Sequence, residues 1–75
     1  MSTAHEIQNA RHAAHEAKIA AMNADNAQAT DFASAAQQLV WFSGLRYNEG
    51  SELDAKMLYE SANLITSHVQ QLLLS

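Results

Sequence analysis

Thirteen alanines crowd between residues 4 and 36, and no proline interrupts the chain at any position. Alanine loses no side-chain entropy on entering a helix and proline is the strongest helix breaker, so this pairing commits the chain to helix. It also sets a limit. A methyl group buries little apolar area, so helices joined through such residues approach closely but hold weakly.

The few interruptions divide the chain. Asn23, Asp25 and Asn26 lie close together, Thr30-Asp31 follows, and Gly44 to Gly50 brackets the strongest turn. Ser51-Glu52-Leu53-Asp54 places a hydroxyl ahead of the last helix and acids in its first turn, where they can accept unpaired N–H groups and suit the helix dipole. From there Leu58, Ala62, Ile65, Val69 and Leu72 recur at helical spacing, with Leu53, Met57, Leu64 and His68 along one flank, which predicts a broad buried face. Upstream, Gly44 suits the left-handed position after a helix, although a helix running on to Tyr47 and stopping before Gly50 fits as well. In the first half, Ile7, Ala10, Ala14, Ala17, Ala21 and Ala24 form one stripe. A second, Phe32, Ala35, Leu39 and Phe42, resumes out of register with it. One continuous helix with an inserted step explains the shift. A turn at residues 23–26, with Thr30 capping a separate helix, explains it equally.

The expected fold is therefore all-α: an antiparallel helical hairpin with a long or kinked Ala-rich first helix, or three helices if the turn forms. Seventy-five residues allow a single domain, 1–75. A first helix over about residues 3–43 would extend ~60 Å against ~34 Å for the last, so its alanine-rich arm would lack a partner within its own chain. The chain has no cysteine, hence no disulfide or thiolate metal site to compensate for a thin core. A homodimeric bundle is the simplest remedy. Its seam is expected at Ile7, Ala14, Ala21, Phe32, Leu39, Val40, Phe42, Leu58 and Ile65.

Charge and composition narrow the function. Nearly half the residues are apolar, which excludes a disordered chain, and the net charge of −4 argues against a nucleic-acid binder. No apolar run approaches a membrane span and the N-terminus lacks secretory-signal character, so a soluble cytoplasmic protein is expected. No phosphate loop, nucleophile elbow or buried acid pair marks a catalyst. His5, His12 and His15 stand beside Glu6 and Glu16 at spacings that could ligate a metal, yet a solvated helix face with His–Glu pairing accounts for the same residues. Protonating these histidines would turn the arm positive. Neither a metal nor a cofactor is assigned.

Leu39-Val40-Trp41-Phe42 carries the most information. Four consecutive large apolar residues point all round a helix, so one chain cannot cover them all. With Phe32, Ala35, Leu39 and Phe42 turned inward, Trp41 falls on a face with Ser34, Gln37 and Gln38. An indole there, joined by Leu45, Arg46 and Tyr47 with Glu49 nearby, has the composition of a protein-interface anchor. Six acids and two bases between residues 25 and 60 account for the whole net charge, and Glu49, Glu52 and Asp54 would draw a basic patch on a partner. The expected function is a non-enzymatic homodimeric regulator or inhibitor that occupies a surface of a larger protein. The alternatives are a structural or chaperone-like subunit ordered by a cognate partner, and a histidine-based metal or pH-responsive binder.

Overall fold

A computed structural model describes residues 2–75 as three helices in a row: α1 (Thr3–Asn23), α2 (Ala27–Asn48) and α3 (Glu52–Leu74). Their lengths of 21, 22 and 23 residues correspond to about 32 to 35 Å each. Matched lengths let them run up, down and up side by side within a 38 × 19 × 15 Å body.

Of the two readings of the first half, the turn is the one formed. α1 closes on Ala24 and Asp25, with the Asp25 N–H donating to Met22 O and the Asn26 N–H to Ala21 O, both at about 3 Å. That bond pair closes a helix end around one residue in the left-handed region, here Asp25 at φ 53°. Asn26, not Thr30, caps α2: its Oδ1 accepts from the Ala29 N–H at 3.0 Å. The Thr30 hydroxyl instead donates back to the Asn26 carbonyl at 2.9 Å, one turn inside the helix. The second connection repeats the device. The Gly50 N–H donates to Tyr47 O and the Ser51 N–H to Arg46 O, with Gly50 at φ 87°. Gly44 lies inside α2, so the helix runs past it to Asn48. Ser51 starts α3 without a side-chain cap; its hydroxyl donates to the Asp54 carboxylate at 2.8 Å.

Since α1 is a separate helix folded back on α2 and α3, the alanine-rich arm is covered by its own chain. Ile7, Ala10, Ala14, Ala17 and Ala21 are all buried, on the stripe read from the sequence. The other two helices are rotated from their expected phase. In α2 the core residues are Ala29, Ala33, Ala36, Val40 and Ser43. The stripe Phe32, Ala35, Leu39 and Phe42 lies about 100° round, with only Leu39 half-buried. In α3 the core is Ala55, Tyr59, Ala62, Thr66 and Val69. Leu58, Ile65 and Leu72 sit half-buried at its margin, and Leu53, Met57, Leu64 and His68 are exposed, so the broad buried face expected for α3 is absent.

The alanine content of the core explains the rotation of α2, while α3 also buries Tyr59, Thr66 and Val69 beside Ala55 and Ala62. Among the described residues, nine of the thirteen buried apolar ones are alanine, and wider side chains on the lines where helices meet would force the axes apart. The core divides into an upper cluster around Ile7, Ala14, Ala36, Val40, Ala55 and Tyr59, and a lower one around Ala17, Ala21, Ala29, Ala33 and Val69. The fully buried Ser43 hydroxyl donates to the Ala55 carbonyl at 2.6 Å, fastening α2 to α3.

Candidate functional site

A core rich in methyl groups leaves many large apolar side chains outside, and two surfaces hold the residues singled out from the sequence. The first is the flank of α2 and α3 turned away from α1. Ser43 meets Ala55, and the Phe32 ring meets His68 edge-on with centroids 5.1 Å apart, so the two helices run antiparallel in a defined register. That register sets Leu39 and Phe42 beside Leu58, and Ala35 beside Ile65. Phe32, Leu39, Phe42, Leu58 and Ile65, all named above as seam residues, therefore share one flank. Ile7, Ala14, Ala21 and Val40, named with them, are buried within the single chain. A second copy could reach the first group and not the second.

The second surface is the cleft between α1 and α2, where Trp41 stands 58% exposed. Its indole lines two adjoining hollows. One is formed with Gln8, Arg11, His12 and His15 of α1, and the other with Lys18 of α1 and Ser34 and Gln38 of α2; Gln37 borders both. Ser34, Gln37 and Gln38 are the polar neighbours expected of Trp41. No family model, curated protein or solved structure matches this chain. The site therefore stands on its own geometry.

That geometry puts cations around the indole. Arg11 lies against the α2 backbone, where a β-carbon on Gly44 would come 3.5 Å from its Nη2, and its Nη1 donates to Gln8 Oε1 at 3.4 Å. His12, which lines the first hollow, approaches Glu16 at 4.0 Å. No carboxylate lines either hollow. Phe42 packs edge-on against the other side of Trp41, with centroids 5.1 Å apart.

The remaining anchor residues separate. Leu45 and Arg46 are exposed, but Arg46 pairs with Glu49 at 3.1 Å, so much of that charge is spent locally. Tyr47 packs half-buried against the upper core. Glu49 lies in the α2–α3 connection and Glu52 and Asp54 in the first turn of α3, at one end of the bundle rather than beside the indole. Among the described residues, no three His, Asp or Glu side chains converge as metal ligands. No described helix is long and apolar enough to cross a membrane.

The sequence reading passed over Arg11, His12, His15 and Lys18 as neighbours of Trp41, although the signal was present. A helical hairpin turning at residues 24–26 opposes Lys18 to Ser34, His15 to Gln37 and Arg11 to Trp41, the combinations that line the cleft. With the turn left open, that pairing could not be drawn.

Proposed function

We propose that this chain is a small, non-enzymatic, cytoplasmic protein-binding module. It pairs with a second copy through the flank of α2 and α3 and regulates or inhibits a larger protein by occupying part of its surface through Trp41. The observation that supports this reading is the inversion of side-chain sizes: alanine fills the interior while Trp41, Phe42, Leu53, Met57 and Leu64 face solvent. Large apolar side chains gathered on the outside of a small chain mark interaction surfaces. The two surfaces divide the work. The flank exposes Phe32 and Phe42 beside half-buried Leu39, Leu58 and Ile65, side chains that a self-complementary seam would cover. The cleft sets one indole among polar and charged groups, as at an interface hot spot.

The test is partner capture from the native cell with the wild-type chain and with Trp41→Ala. The indole is mostly outside the core, so the variant should keep its helical circular dichroism. It should lose any specific partner by at least tenfold, corresponding to about 1.4 kcal/mol or more of hot-spot energy. A partner retained in full by Trp41→Ala would contradict the role given to the cleft.

A further inference from the structure

The sequence pointed to a basic partner, on the strength of the acids in the α2–α3 connection, but the surroundings of the indole have the opposite sign. We infer that the α1–α2 cleft binds an acidic segment of a partner protein in which carboxylates flank an apolar side chain. The inference rests on the protein-binding reading above and specifies the kind of partner.

Three observations carry it. The chain has only four Lys and Arg residues, and two of them, Arg11 and Lys18, border hollows that meet at Trp41, with His12 and His15 between. Glu16 meets His12, itself a lining residue, at 4.0 Å without lining either hollow, and α2 contributes only Ser34, Gln37, Gln38, Val40 and Trp41 to the lining, none of them acidic. An acidic protein thus keeps one cleft free of acid, which favours an anionic occupant.

The dimensions fit a peptide. Arg11 and Lys18 are seven positions apart on one helix, about 10 Å along the axis, the distance covered by about three residues of extended chain. A segment lying along α1 could present one carboxylate to Arg11 and another to Lys18, with an apolar side chain between them on the indole face. The larger hollow, of about 490 Å³, is within the range of small-ligand sites and accommodates such a side chain. The Arg11 guanidinium donates to Gln8 on one side and lies against Gly44 of α2 on the other. Nucleic acid would also present anions and flat rings, but its continuous phosphate charge would meet six acids on the rest of the chain between residues 25 and 60.

Trp41 is the only tryptophan, so its emission comes from one position, at the edge of this cleft, and titration at fixed chain concentration keeps self-association, which Trp41 could sense through Phe42, constant. The experiment titrates the full chain with a short glutamate-rich peptide carrying two central leucines. The comparison probes are the same peptide with lysine in place of glutamate, a polyglutamate lacking leucine, and an oligothymidylate. The expected result is a saturable change in Trp41 emission with the first peptide, weakened by salt. The lysine peptide should produce none, and the polyglutamate should bind more weakly. The Arg11→Gln/Lys18→Gln double variant, altered only at the surface, should bind the first peptide at least about tenfold more weakly while keeping its helical dichroism. An unchanged emission, equal binding by the double variant, or tighter binding of the oligothymidylate overturns the inference. The peptide results leave the wider binding-module reading to be decided separately by Trp41→Ala capture, whereas tighter binding of the oligothymidylate would count against both.

Discussion

Two residues with positive φ turn this chain, and they do so at different cost. Gly50 takes φ 87° without strain, whereas Asp25 takes φ 53° with a side chain attached. Replacing Gly50 by alanine meets no atom within 4 Å, so its whole effect comes from the backbone. It should destabilise by about 1 kcal/mol and lower the melting temperature by about 4–8 °C. Gly44 makes the opposite case. It sits inside α2 without a positive φ, and the added β-carbon would meet Arg11 Nη2 at an ordinary 3.5 Å. Gly44→Ala should therefore stabilise by about 0.5–1 kcal/mol, read by thermal melts of the two variants side by side. A destabilised Gly44→Ala would show that the added methyl displaces Arg11 by more than the helix gains. Asp25 explains why the first turn was hard to read: aspartate enters the left-handed region less readily than glycine. Gly50 announced its turn; Asp25 did not.

At the scale of the helices, the sequence showed helix content and the face of α1 clearly, because there the small residues and the helical spacing coincide. It misplaced the faces of α2 and α3, because the eye follows Phe32, Leu39, Phe42, Leu58 and Ile65 while the packing follows Ala29, Ala33, Ala36, Ala55 and Ala62. Close approach of three helices selects the narrowest side chains for the contact lines. Ala36, wholly buried between its neighbours, tests that account: Ala36→Leu adds apolar volume where none fits and should cost about 1–3 kcal/mol. A neutral or stabilising result in denaturant unfolding would show that the core has slack. Ser43 acts in the same region through its bond to the Ala55 carbonyl at 2.6 Å. Removing the hydroxyl with Ser43→Ala should cost about 0.5–1.5 kcal/mol by the same measurement. Nothing in the spacing marked Ser43 as a core residue. It became legible only once α3 was known to pass against it.

For the whole molecule, the question is what stabilises a bundle whose interior is mostly alanine. Small buried side chains contribute little transfer free energy each, and a chain of this size has a small margin in any case. Large apolar groups outside supply the missing area if they are covered. The long sides of the body, 38 Å by 15 to 19 Å, approach the ~800 Å² that each partner commonly gives to a stable interface. Pairing α2 and α3 with the same helices of a second copy would put four helices in one core and leave each α1, with its cationic cleft, on the outside. The sequence argument for a dimer began from an uncovered alanine arm. That arm is covered, and the case now rests on Phe32, Leu39, Phe42, Leu58 and Ile65.

Light scattering coupled to size exclusion, run on the purified chain at micromolar concentration, decides the matter most directly. The account predicts about 16 kDa, twice the 8.2 kDa of one chain, falling to the single-chain mass when Phe42 is replaced by glutamate. A wild-type species of one chain's mass that still melts cooperatively would contradict it.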